Sequence, residues 1–62
     1  MKNIYKIILD STDEVYIKSK KIAGAVRTLK TLEEYKWAYK IEIFLEGDLV
    51  AYKTNNKSFI IF

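Results

Sequence analysis

Carboxylate pairs are the side chains in this sequence that could carry out acid–base chemistry. They occur in three places: Asp10 with Asp13 or Glu14, Glu33 with Glu34, and Glu46 with Asp48. The surrounding residues assign the first set to a turn or cap, the second to a helix end and the third to a hairpin, where a carboxylate is solvated and no pocket surrounds it. We therefore expect structural roles for these acids and no oxygen-ligand metal site.

The residue types that are missing exclude most other site chemistry. The chain has no histidine and no cysteine, so it lacks the base of serine and cysteine hydrolases, the usual zinc, haem and iron–sulfur ligands, and disulfides. Its two glycines, Gly24 and Gly47, are far apart and cannot form a phosphate-binding loop. We expect a protein that is not an enzyme and has neither a metal nor a cofactor.

Aromatic residues and lysines alternate at the approach to the third predicted strand, in the run Tyr35, Lys36, Trp37, Tyr39 and Lys40. Aromatic rings beside cations can hold single-stranded nucleic acid by stacking. The strand pattern, however, places Trp37 and Tyr39 on the same face as the buried residues that follow, which favours a structural role for both rings and solvated lysines between them.

Basic residues could form a nucleic-acid surface, and the set that would do so is Lys20, Lys21, Arg27, Lys30, Lys36 and Lys40. The net charge is +3, from 11 basic and eight acidic residues. Phosphate-binding surfaces are usually denser and richer in arginine. A soluble surface rich in lysine explains the same charge, so a small basic nucleic-acid-binding module is the alternative function.

The second half of the chain has the clearest structural pattern. Apolar residues alternate from Tyr39 to Leu45, a turn is predicted at Gly47-Asp48, a second β-rich run covers 49–54, and Asn55-Asn56 fits a tight turn before a third strand. With two-residue loops at both turns, Ile43 pairs with Tyr52 and Phe44 with Ala51. The same register pairs Tyr52 with Phe59 and Ala51 with Ile60, and it predicts a three-stranded antiparallel meander.

The first half contains a strand, an ambiguous segment and a helix. Residues 4–9 form an apolar β-rich run followed by turn formers at 10–13. Residues 14–18 either close a hairpin, which Val15-Tyr16-Ile17 favours, or continue a helix that a Ser11/Glu14 capping box would start. A helix is predicted from Ser19 or Lys20 to about Leu32, with Ser19 as its N-cap, and it should end by about Tyr35. The evidence is an apolar stripe at helical spacing: Ile22, Ala25, Val26, Leu29 and Leu32.

These elements predict one α+β domain over residues 1–62. One helix packs on a four- or five-stranded antiparallel sheet in the order ββαβββ. The alternative is βαβββ, with a longer helix from about residue 12.

The predicted meander has one face that the helix covers and a reverse face that the helix leaves uncovered. The helix is expected to cover one face, which carries Ile41, Ile43, Leu45, Val50, Tyr52, Phe59 and Ile61. The reverse face then carries five apolar residues with a polar border of Glu42, Lys53 and Ser58: Phe44, Leu49, Ala51, Ile60 and Phe62. An apolar patch with a polar rim is typical of protein interfaces, although the first hairpin or the chain ends could instead fold over it.

Size and composition set the functional hypothesis. A chain of 62 residues buries only about 60% of its unfolded surface, so association would help to stabilise it. No apolar run could span a bilayer and no signal-peptide pattern is present, so we expect a cytoplasmic protein. Abundant lysine and isoleucine are typical of AT-rich bacterial and phage genomes. The leading hypothesis is a non-enzymatic interaction protein that forms a homodimer or acts as a phage- or mobile-element-encoded anti-defence inhibitor of a larger host protein.

Overall fold

The computed structural model describes residues 3–55 and 57–62. In chain order its elements are β1 (Asn3–Leu9), β2 (Asp13–Ser19), α1 (Ile22–Leu29), α2 (Glu33–Trp37), β3 (Lys40–Leu45), β4 (Asp48–Thr54) and β5 (Ile60–Ile61). The strands form one antiparallel sheet in the order β2-β1-β3-β4-β5. The predicted α+β fold with a five-stranded sheet and one main helix is confirmed, and the alternative with a helix from residue 12 is wrong.

The first hairpin forms because residues 10–12 supply a tight turn between two β-rich runs. Leu9 pairs with Asp13, and the backbones of Asp10 and Ser11 have positive φ angles of 54° and 64°. Aspartate tolerates this left-handed conformation better than most residues do. The Asp10 carboxylate also accepts hydrogen bonds of 2.8 Å from the backbone N–H groups of Tyr39 and Lys40. The turn is thereby bound to the start of β3.

The helical segment is shorter than its sequence pattern predicts. α1 begins at Ile22 with Lys21 as its N-cap, so the predicted N-cap Ser19 is wrong. The Ser19 hydroxyl instead donates a hydrogen bond to the Lys21 carbonyl at 2.7 Å. Helix α1 ends at Leu29, and the Thr31 hydroxyl donates to the Thr28 carbonyl at 2.6 Å. The backbone N–H groups of Thr31 and Leu32 donate to carbonyls three residues earlier, as in a 3₁₀ turn. Together with the Thr31 hydroxyl bond, they tighten the chain into a turn before α2.

The core lies between α1 and one face of the sheet. Its buried members come from four strands and the predicted helical stripe: Tyr5, Ile7, Leu9, Ile17, Ala25, Leu29, Ile41, Ile43 and Ala51. Ile22, Val26 and Leu32 complete the stripe and pack against these residues. In the part of the chain that the structure describes, no helix is both long enough and apolar enough to cross a membrane.

The turn between β3 and β4 is Glu46-Gly47, so the predicted turn at Gly47-Asp48 is wrong by one residue. Leu45 pairs with Asp48, and Glu46 and Gly47 have φ angles of 52° and 88°, as a type I′ hairpin turn requires. A β-bulge then leaves Val50 as an extra residue between two pairs. The predicted pairs in this hairpin are shifted accordingly.

The shift exchanges the faces of two residues in β4. Ala51 pairs with Ile43 and is 0% exposed in the core, so its predicted place on the reverse face is wrong. Tyr52 pairs with Glu42 on the reverse face, so its predicted core position is also wrong. The bulge causes this exchange, because the one extra residue moves the later side chains of β4 to the opposite face, whereas the change of turn alone shifts the pairs by two residues and keeps the faces.

The last hairpin is also offset by one residue. Tyr52 pairs with Ile60 and Ala51 with Ile61, in place of the predicted partners Phe59 and Ile60. The connection therefore runs over residues 55–59 and is longer than the predicted two-residue turn, of which Asn56 lies outside the described residues. Phe59 instead packs against the core, with its ring 6.5 Å from that of Tyr35.

Candidate functional site

The sheet face opposite α1, called here the open face, is formed by the residues that alternate with the core. Its apolar members come from every strand or its immediate continuation: Tyr16 from β2, Ile4 and Ile8 from β1, Phe44 from β3, Leu49 and Tyr52 from β4, and Ile60 and Phe62 from the last segment. Several of them are strongly exposed, including Phe62 at 73% and Ile60 at 47%. No helix within residues 3–55 and 57–62 covers this face, because α1 packs on the other one.

Four of the five predicted interface residues lie on the open face. These are Phe44, Leu49, Ile60 and Phe62, whereas Ala51 is buried on the opposite side. Tyr52 was not predicted there because of the register error, and Ile4, Ile8 and Tyr16 were not predicted because the predicted face comprised only the strands of the meander. The alternation of Ile4 and Ile8 with the buried residues of β1 is the signal that could have found them.

The open face has a hollow at one end and a ridge at the other. The hollow is a shallow depression of about 390 Å³ around Lys6 and Phe44, lined also by Ile4, Ile8, Tyr16 and Glu46. The ridge consists of the rings of Tyr52 and Phe62, which lie 5.7 Å apart, with Ile60 beside Tyr52. A surface with both shapes can be complementary to itself.

The charges on the open face are balanced. Three lysines (Lys6, Lys18 and Lys40) and three glutamates (Glu14, Glu42 and Glu46) lie among or beside the apolar residues. Lys6 and Glu14 form an ion pair of 3.4 Å. Within residues 3–55 and 57–62 the formal charges on this face sum to zero, so the described part of the open face is not a basic surface.

The predicted basic residues come from several elements. Lys20 and Lys21 precede α1, Arg27 lies in its last turn, and Lys36 lies in α2. Lys40 begins β3 and lies on the open face. Lys30 lies with two further lysines, Lys53 and Lys57, around a depression of about 490 Å³ on the α1 side.

That depression also contains aromatic side chains. Tyr35 and Phe59 stack in it, and the Lys53 ammonium lies 5.6 Å from the centre of the Tyr35 ring. The expectation that Trp37 and Tyr39 are buried is wrong, since they are 79% and 65% exposed. The physical reason is that α2 interrupts the strand alternation and β3 begins only at Lys40.

The carboxylates do not form a site in the described part of the chain. Asp10 is engaged by backbone N–H groups, and among residues 3–55 and 57–62 no group of three acidic residues is placed to hold a metal ion. No protein-family model, no curated protein and no solved structure matches this chain.

Proposed function

We propose that this chain is a non-enzymatic protein-interaction module that binds through its open face. The observation that carries the proposal is the set of apolar side chains that the open face presents from all five strands and from Phe62, with three lysines and three glutamates among them in the described residues. An exposed patch of this kind is typical of protein-binding surfaces.

The energetics support association. Burying apolar surface stabilises a complex by about 25 cal/mol per Å². Phe62, Ile60 and Leu49 are 73%, 47% and 37% exposed on the open face, so a partner that covers them removes apolar area from water and is favoured for that reason. A domain of this size is also only marginally stable alone.

The partner is either a second copy of the chain or a larger protein. In the second form the module is a cytoplasmic inhibitor of a host protein, of the anti-defence type, and it is encoded by a phage or mobile element of a bacterium. The support for that form is the lysine- and isoleucine-rich composition and the small size.

The test compares the wild-type chain with Phe44→Asp/Ile60→Asp, which places two charges on the open face. Light scattering after size exclusion should show a wild-type dimer, or immobilised wild type should retain a protein from bacterial extract. The double variant should do neither. Trp37→Asp is the matched control, because Trp37 is exposed but lies outside the open face, and it should behave as wild type.

Circular dichroism establishes that the double variant is folded. A folded, monomeric wild type that retains the same proteins as the double variant would overturn the proposal.

A second candidate function is nucleic-acid binding at the depression on the α1 side, favoured by the grouping of Lys30, Lys53 and Lys57. Within the described residues none of the three forms an ion pair, since the pair found there is Lys6 with Glu14. Three phosphate contacts would lower the logarithm of the binding constant for single strands by about two per tenfold rise in salt. Fluorescence anisotropy with a labelled oligonucleotide measures this slope, and an absence of binding at low salt rejects the candidate.

A further inference from the structure

We propose that the open face binds a second copy of this chain face to face, with the twofold axis parallel to the strands and midway between β3 and β4. The inference rests on the proposed function, and it names the partner and the contacts. It follows from the order of the side chains across the sheet.

The first row of side chains crosses the open face at the level of the hollow. In spatial order it contains Tyr16, Lys6, Phe44, Leu49 and Phe62. Phe62 belongs to this row because its N–H donates to the carbonyl of Val50, the bulge residue next to Leu49, at 3.0 Å. The hollow and the Phe62 ring are therefore at the same height along the strands, at opposite ends of one row.

The second row lies one step along the strands. In spatial order it contains Glu14, Ile8, Glu42, Tyr52 and Ile60. Its apolar residues occupy the positions of β1, β4 and β5, and a carboxylate occupies the position of β3.

A twofold axis between β3 and β4 places β5 of one copy over β1 of the other, and β4 over β3. Phe62 of the second copy then enters the hollow above Lys6, and Leu49 of the second copy meets Phe44. In the next row, Ile60 meets Ile8 and the Tyr52 hydroxyl comes to Glu42, a carboxylate that can accept its hydrogen bond. Each contact occurs twice, as in every isologous interface.

Two other twofold arrangements fit less well. An axis directly over β3 would set Glu42 against Glu42 and Lys40 against Lys40, and like charges in direct contact oppose association. An axis perpendicular to the strands would set hollow against hollow and ridge against ridge. The axis between β3 and β4 avoids both conflicts and leaves the outer strand β2, with Glu14 and Lys18, as a polar rim.

Site-directed cross-linking tests the arrangement. The sequence contains no cysteine, so only the introduced thiol can react with a thiol-specific cross-linker. Within one chain, Ile8 and Ile60 are three strand spacings apart, about 14 Å. Between the two copies, the backbones at these positions would be about 10 Å apart, as in packed sheets, and the two side chains would point toward each other. We would prepare Ile8→Cys and Ile60→Cys separately, verify their folding by circular dichroism, and treat them with a short bismaleimide. The mixture of the two variants should give a covalent dimer, and neither variant alone should do so.

The outcomes separate this inference from the proposed function. Cross-linking of Ile60→Cys with itself is incompatible with an axis between β3 and β4 and would overturn the inference. A wild-type dimer that depends on Phe44 and Ile60 but gives no cross-link in the mixture would also overturn it, with the proposed function intact. If the wild type is a monomer that retains another protein only when the open face is unaltered, the inference is overturned and the proposed function stands. If the wild type is a monomer that retains no protein through this face, both the inference and the proposed function are overturned.

Discussion

The rings of Tyr52 and Phe62 lie 5.7 Å apart on the open face with their planes inclined by 39°. Phe62 is nevertheless 73% exposed, so the contact orders the ring without burying it. An aromatic ring that is held in place and still exposed loses little conformational entropy when a partner covers it. Phe62 is therefore expected to contribute more to association than to folding.

Phe62→Ala is predicted to weaken the dimer while leaving the folded monomer nearly unchanged. Removal of an exposed ring should change the free energy of unfolding by about 0.5 kcal/mol or less. The same ring is lost at two symmetric contacts, so the dimer dissociation constant should rise at least about tenfold, which corresponds to about 1.4 kcal/mol. Sedimentation equilibrium over a concentration series measures the constant.

Trp37→Ala is the control for this prediction, because Trp37 is equally exposed but lies in α2. The dimer dissociation constant of the Trp37→Ala variant should equal that of the wild type. Equal weakening by both substitutions would show that association does not depend on the open face.

Asp10→Ala is predicted to destabilise the fold more than Asp10→Asn. The Asp10 carboxylate accepts two backbone hydrogen bonds of 2.8 Å at a residue with a φ angle of 54°. Alanine removes both bonds and is strained there, at a total cost of about 2 kcal/mol. Asparagine keeps an acceptor oxygen and tolerates the conformation, so its cost should be below about 1 kcal/mol.

Urea unfolding followed by circular dichroism measures both changes. Asp13→Ala removes a nearby carboxylate that makes no such bonds and should have little effect. If Asp10→Ala were no more harmful than Asp13→Ala, the link between the first turn and β3 would be unimportant for stability.

The sequence was sufficient for the fold but not for the register of the sheet. Alternation in β3 and the helical stripe of α1 determine which elements form and which faces meet. Gly47, however, fits a hairpin turn either as its first residue, before Asp48, or as its second, after Glu46. Moving a two-residue turn by one position shifts the strand pairs by two residues and keeps the faces, so the turn alone does not change which side chains are buried. The bulge at Val50 shifts the pairs by one residue and brings Ala51 into the core in place of Tyr52, and it depends on packing across the whole sheet.

The exposed aromatics were missed for a different reason. The alternation of Trp37, Tyr39 and Ile41 is compatible with one continuous strand. α2 has only five residues, too few to show a helical period, and such a short helix depends on its tertiary contacts. The packing of Tyr35 against Phe59, 24 positions later in the sequence, is a contact of this kind.

Glu46→Asn is predicted to stabilise the β3–β4 hairpin. Both turn residues have positive φ angles, and Asn-Gly is the preferred pair for a type I′ turn. The expected gain is about 0.5–1 kcal/mol, since glutamate adopts this conformation at a cost that asparagine largely avoids. Urea unfolding in a Phe62→Ala background, at protein concentrations below its dimer dissociation constant, measures the gain without interference from association.

Asp48→Asn is the matched control for the turn, because Asp48 pairs with Leu45 as the first residue of β4. It should bring no gain. Stabilisation by Asp48→Asn in place of Glu46→Asn would place the turn at Gly47-Asp48 and contradict the pairing of Leu45 with Asp48.

Leu29→Ala and Leu49→Ala compare the same chemical change on the two sides of the sheet. Leu29 is 0% exposed between α1 and the sheet, whereas Leu49 is 37% exposed on the open face. Leu29→Ala should cost about 2–5 kcal/mol, including the cavity that it leaves, out of a total stability of about 3–9 kcal/mol for a domain of this size. Leu49→Ala should cost less than about 1 kcal/mol in the Phe62→Ala background, measured at protein concentrations below its dimer dissociation constant so that the chain is monomeric. Urea midpoints measure both, and a cost at Leu49 as large as that at Leu29 would mean that the chain itself covers the open face, leaving no surface there for a partner.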